Sequence, residues 1–120
     1  MKPYVYKCTL VKIVDGDTID VDIDLGFGVC LKKQRIRLEG INAPESRTRN
    51  MVEKKLGLLA KARLTALLQR DFVVKTTLDK KGKFGRIIGT PYVGDRNVCE
   101  LLVEEGHARL YDGGKREPWT

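Results

Sequence analysis

The chain has 120 residues, 42% of them hydrophobic and 32% charged, with 23 Lys and Arg against 16 Asp and Glu and a formal net charge of +7. That length supports one compact unit with a core needing no staples, so a single domain over residues 1–120 is expected. The charge makes a polyanion the default partner, because a basic surface gains affinity by displacing counterions from phosphates.

Cys8, Cys30 and Cys99 are odd in number, widely spaced and set among apolar residues, which argues for small buried hydrophobes in a reducing compartment and against a disulfide frame or metal clip. Nowhere do about 18 apolar residues follow one another, and MKPYVYKCTL carries no apolar run behind its Lys. A cytoplasmic protein with no membrane partner, acting as a monomer, is the expectation. Phage, mobile-element and housekeeping origins all fit.

From Val5 to Val14 and from Thr18 to Leu25 the residues are β-branched and alternate, with Ile19, Val21, Ile23 and Leu25 set against Asp20, Asp22 and Asp24. The two glycines of DLGFGV suit a hairpin or bulge, and Val29 to Leu38 resumes the alternation. Three strands in succession make a meander. Between Arg49 and Gln69 the period changes: Val52, Leu56, Leu59, Ala60, Leu64, Leu67 and Leu68 recur at steps of three and four, predicting an amphipathic helix with those residues inward. Gly57 costs that helix about 1 kcal/mol relative to Ala, which a close backbone contact would explain.

Phe72 to Leu78 reads as a strand, DKKGK as a charged turn, and Ile87 to Val93 as a strand whose Pro91 marks an edge or bulge. Asn97 can cap a short second helix with Val98, Leu101 and Leu102 inward, ended by Gly106. The fold class is therefore α+β: a five-stranded OB-fold barrel with an amphipathic helix between strands 3 and 4 and a short helix near the C-terminus. Trp119 is expected to pack against the barrel.

Three pieces carry chemistry: DGDT at Asp15–Thr18, RIRLEGINAPE at Arg35–Glu45, and FGR at Phe84–Arg86. Hydrolysing a phosphodiester needs charge stabilisation at phosphorus, a positioned water and a docked backbone. A carboxylate for a hard cation, a second carboxylate for water, and arginine forks for phosphate are the residue types that serve those needs. D-G is also ordinary turn chemistry, so Asp15 or Asp17 can equally shape a bend. The single histidine, His107, leaves a two-His zinc site or a Ser-His-Asp triad without support.

Together the three pieces resemble the staphylococcal nuclease (thermonuclease) family, over roughly Val11 to Tyr111. The resemblance implies a calcium-dependent nuclease acting on DNA and RNA with little sequence preference, cutting between phosphorus and the 5′ oxygen to leave 3′-phosphate ends. It makes Asp17 a metal ligand, with Asn42 and the Ala43 carbonyl beside it. It makes Glu45 the carboxylate that orients or deprotonates water, and Arg37 and Arg86 the phosphate clamp. Asn42 departs from the family, which has Asp there; one negative charge is lost, so the ion is Ca²⁺ held less tightly or another divalent cation. Arg35, on the same strand face, is read as a neighbour or as a partner in a salt bridge to an acid, with the catalytic role on Arg37. Lys83, Phe84 and Tyr111 are substrate-binding candidates, the rings by stacking on bases. Lys80, Lys81, Lys54 and Lys55 can steer the polyanion electrostatically or form a solvated face. The alternative is a catalytically weak or inactive OB-fold that binds single-stranded nucleic acid or a protein partner.

Overall fold

A computed structural model describes residues 4–69, 71–77, 87–111, 114 and 119. Strands β1 (Tyr4–Asp15), β2 (Thr18–Gly26) and β3 (Val29–Leu38) form the meander that the alternation predicts. The strands β5 (Phe72–Thr77) and β6 (Ile87–Val93) follow a 17-residue helix, α1 (Met51–Leu67), itself preceded by the two-residue strand β4 (Ile41–Asn42). Hydrogen bonding runs in the order β3-β2-β1-β5-β6, and a parallel pairing of Ile36–Leu38 with Ile87–Gly89 joins the first of these to the last. Five long strands thereby close into a barrel, the OB-like architecture expected. The closing pair is short, and Val29–Arg35 of β3 pair with β2 alone among the described residues. Pro91 pairs with Val74 of β5 but lies beyond the β3 pairing, where its missing N–H costs no ladder bond.

The barrel fills with the inward residues of the alternating pattern, among them Ile19, Val21, Ile36, Leu38 and Val74, all essentially inaccessible. A short strand β7 (Arg96–Asn97) leads into α2 (Val98–Glu104), whose Val98, Leu101 and Leu102 are buried. The Asn97 side chain accepts the Glu100 N–H at 3.1 Å, satisfying one of the donors that open every helix. Strand β8 (Arg109–Leu110) pairs with β4. No helix among the described residues is long and apolar enough to cross a membrane.

Two expectations are corrected. In α1 the buried residues are Gly57, Ala60 and Leu64, with Leu68 just beyond its end, while Val52, Leu56 and Leu59 point outward with Met51 and Leu58. Over its first half the helix lies so close to the barrel that Gly57 and Ala60 face it, and leucines turn inward only from Leu64 on. Cys8 and Cys99 are buried, as expected, but Cys30 is exposed near the tip of the long β2–β3 hairpin.

Candidate active site

The site begins at the two-residue turn joining β1 to β2. Gly16 is buried there because a Cβ would stand 2.8 Å from the Ala60 Cβ and 3.0 Å from that of Ala43; only a bare backbone lets α1 and the segment after β4 meet over the turn. Asp17, 5% exposed, is consequently held under the β4 segment. Its Oδ2 accepts the Ala43 N–H at 2.9 Å and its Oδ1 the Thr18 hydroxyl at 2.9 Å.

Arg37 reaches the same place from β3, which pairs Arg37 with Thr18. Its Nη1 donates to the Asp17 carbonyl at 3.1 Å and the Leu38 carbonyl at 3.3 Å, and lies 3.6 Å from Asp17 Oδ2. Among the described residues only Nη1 is engaged, so Nη2 and Nε remain for an incoming oxyanion. Arg35, two residues earlier, is spent otherwise: a bidentate bridge to Asp20 at 2.9 and 3.2 Å. That contact holds the Asp20 carboxyl below its usual range.

Glu45 enters on the segment that follows Pro44. Three contacts set its backbone. The Glu45 N–H donates to Glu53 Oε2 at 2.9 Å, and the Ser46 N–H and hydroxyl both donate to Asp15 Oδ1, at 3.1 and 2.6 Å. The third is Gly57, where any Cβ would lie 2.7 Å from the Ser46 nitrogen and closer still to the Glu45 carbonyl. The glycine that weakens α1 is the one that lets the helix rest on the Glu45–Ser46 peptide. Asn50 caps this helix, its Oδ1 accepting from Val52 and Glu53, and so fixes the turn that carries Glu53.

Asn42 is 3% exposed, and its Oδ1 has no hydrogen-bond partner among the described residues. A buried acceptor left unpaired costs about 1–3 kcal/mol. The next residue, Ala43, donates its N–H to the Asp17 carboxylate, so the orphaned amide oxygen belongs to the residue adjoining a partner of that buried carboxylate. That donor set suits a hard cation, which takes carboxylate, amide and carbonyl oxygens alike. It is sparse in charge: no group of three or more His, Cys, Asp or Glu side chains able to hold a metal occurs among the described residues.

Tyr111 donates its N–H to the Gly40 carbonyl at 2.8 Å, just ahead of β4, and its hydroxyl to the Gly114 carbonyl at 2.6 Å. Trp119 stacks under the Arg109 guanidinium, 3.8 Å from its ring centroid. Arg86, Lys83 and Phe84, with Lys80 and Lys81, lie outside the described residues. The strand that follows them, β6, begins at Ile87 in register with Ile36, one residue from Arg37. A separate cleft of about 330 Å³, lined by Glu39, Ile41, Thr90, Asn97, Val103 and Leu110 among others, contains none of the expected site residues.

The structure thus brings Asp17, Arg37, Ala43 and the Glu45–Ser46 backbone together, through contacts between segments 20 to 31 residues apart in the chain, with Asn42 the residue before Ala43. The positioning roles of Ser46 and Glu53 are not evident in the sequence, whereas Gly57 announces itself by its cost to the helix.

Residues 35–118 match the family model described as staphylococcal nuclease homologue. The chain belongs to this family. It is 32% identical over 111 residues to Protein ParB of Escherichia coli, covering 85% of this chain and 55% of that protein. It is 34% identical over 107 residues to Endonuclease YncB of Bacillus subtilis (strain 168), covering 85% and 46%. It is 31% identical over 115 residues to a Micrococcal nuclease of Shigella flexneri, covering 88% and 59%. This member of the staphylococcal nuclease family spans about half the length of the curated relatives it matches.

Proposed function

We propose that the chain is a divalent-cation-dependent nuclease, with calcium as its ion, that hydrolyses DNA and RNA phosphodiesters with little sequence preference. The observation carrying this reading is the buried Asp17 carboxylate 3.6 Å from an arginine whose remaining donors are uncommitted among the described residues, with the Glu45 loop tied to the same turn. Names of relatives that include an endonuclease and a micrococcal nuclease support it.

In this reading Asp17, the Asn42 amide oxygen and the Ala43 carbonyl hold the cation, which supplies positive charge beside the phosphate. Arg37 binds a nonbridging oxygen through Nη2 and Nε and neutralises charge that grows as phosphorus becomes five-coordinate. Arg86 completes the clamp as the family's second arginine. Glu45 takes a proton from the attacking water, a role worth about 10²–10⁴ in rate. The bond between phosphorus and the 5′ oxygen breaks, that oxygen taking a proton from solvent to leave as a 5′-hydroxyl while the phosphate stays on the 3′ side. Ser46, Glu53 and Gly57 act earlier, by fixing the backbone from which Glu45 reaches out.

Asn42 favours a second reading: with one carboxylate where the family has two, the barrel binds single strands or a protein without cutting. Digestion of supercoiled plasmid with Ca²⁺, with Mg²⁺ and with chelator separates the two. The nuclease smears the plasmid with metal and leaves it intact with chelator; intact plasmid under every condition overturns the enzyme reading.

A further inference from the structure

The two residues of β8 face opposite ways. Leu110 pairs with Ile41, and Arg109 with Asn42. Ile41 and Leu110 both line the separate cleft, so strand alternation puts Asn42 and Arg109 together on the other side of this short ribbon. Residues directly opposite on antiparallel strands hold their Cβ atoms about 4.5–5.5 Å apart. An exposed arginine is thereby anchored beside the buried amide assigned to the cation.

That arginine does not serve the amide. Asn42 Oδ1 accepts no hydrogen bond from it or from any other described residue. The Arg109 guanidinium lies instead over the Trp119 ring, 3.8 Å from its centroid. Stacking uses the flat face of a guanidinium and none of the N–H donors in its plane, and it holds that plane in the orientation from which the donors fork a phosphate. Trp119 has a need of its own: its Nε1 is buried with no acceptor among the described residues, a costly state that a ligand oxygen would relieve. A guanidinium and an indole N–H are donors without any acceptor. Such a pair selects an oxyanion over a cation or a base edge.

We propose that Arg109, held flat by Trp119, binds a second backbone phosphate of the nucleic acid, next to the one that Arg37 grips, an inference that rests on the nucleic-acid reading of the site and extends it beyond one nucleotide. The rival role is a latch, in which the stack does no more than fasten Trp119 to β8.

The test is binding of a fluorescent single-stranded oligonucleotide by the full chain across a salt series, in chelator so that nothing is cut. Each phosphate contact adds about 0.7 to the slope of log affinity against log salt for a single strand, so Arg109→Gln should lower that slope by about 0.7. It should also weaken binding roughly tenfold, the size of one hydrogen bond to a charged group. Arg109→Lys should keep most of the slope, since the charge remains, yet bind more weakly than the wild type because the fork is gone. Trp119→Phe keeps a ring under the guanidinium and removes the indole N–H, so it should weaken binding at an unchanged slope. Lys32→Gln removes the same formal charge from the β2–β3 hairpin, where Lys32 bridges Asp22 at 3.4 Å, and should change neither slope nor affinity.

Wild-type slope and affinity in Arg109→Gln overturn the proposal, and so does an equal loss in Lys32→Gln, which would reduce the effect to net charge. Should Arg109→Gln lose its circular dichroism, the other two variants decide: wild-type affinity in both Arg109→Lys and Trp119→Phe overturns the proposal and leaves the stack a latch. A wild type that binds no oligonucleotide overturns it too. Plasmid left intact by a protein whose binding follows the expected pattern strikes the nuclease reading alone.

Discussion

Gly57→Ala separates two opposed effects that the structure places on one atom. In an isolated helix the change stabilises by about 1 kcal/mol. Here the added methyl meets backbone: the Ser46 nitrogen at 2.7 Å and the Glu45 carbonyl nearer still. Neither can rotate away as a side-chain tip would, so helix and loop must part by about 1 Å, and overpacking of this kind costs about 1–3 kcal/mol. Parting also stretches the Glu45–Glu53 and Ser46–Asp15 hydrogen bonds, each worth about 1.5–3 kcal/mol with a charged acceptor. Loss therefore exceeds gain by about 1–2 kcal/mol, a fall of about 4 °C in Tm for each kcal/mol in a domain of this size. Because Glu45 rides on that peptide, a displacement of about 1 Å should also lower turnover by up to about 10². Thermal unfolding and single-turnover cleavage of an oligonucleotide, both on one preparation, read the two effects, with Leu58→Ala on the outer face as the control that changes neither by much. A Gly57→Ala protein that melts higher and cuts at the wild-type rate would refute the reasoning.

The remaining expectations are simpler to read. Arg37→Lys should lose most activity, since an ammonium cannot span two phosphate oxygens, while Arg35→Gln should keep it because Arg35 is committed to Asp20; equal losses would undo the distinction. Asn42→Asp should tighten Ca²⁺ binding by calorimetry, and unchanged affinity would remove that side chain from the ion. The Arg35 contact depresses the Asp20 carboxyl, so its stabilising contribution is present above the ordinary carboxylate pKa and is lost as pH falls through the lower folded value. Asp20→Asn should then flatten the acid limb of the stability curve below about pH 4, and an unaltered limb would contradict the assignment. Burial pushes the Cys8 thiol up to about 11 and Cys99 up to about 12. In the native protein a thiol reagent near neutral pH should therefore react quickly with Cys30 alone, and two or three fast thiols would show that the core opens.

The barrel was legible because strand alternation is a local signal: Ile19, Val21 and Ile23 declare their face within a few residues, and the structure buries all three. The outward turn of Val52, Leu56 and Leu59 was not. Periodicity reports which residues share a side of a helix, but which side packs depends on how near the helix can come, and Gly57 and Ala60 decided that against the leucines. Arg37 could be told from Arg35 in the sequence only through the family spacing to Pro44 and Glu45. The geometry adds a physical reason, the pairing of Arg35 with Asp20. Ser46 and Glu53 left no trace in the sequence because each works through a hydrogen bond to a partner on another segment, and a lone serine or helix-start glutamate looks like any other. Arg86, Lys83 and Phe84 stay expectations, since they lie outside the described residues.

The central claim is that Asp17, Arg37 and Glu45 act on one phosphate. The most direct measurement is the rate of plasmid nicking by Asp17→Asn, Arg37→Gln and Glu45→Gln beside the wild type at saturating Ca²⁺, with oligonucleotide binding measured in parallel. The account expects each variant to fall by about 10² or more in rate while Glu45→Gln still binds. Nicking at the wild-type rate by all three would contradict it.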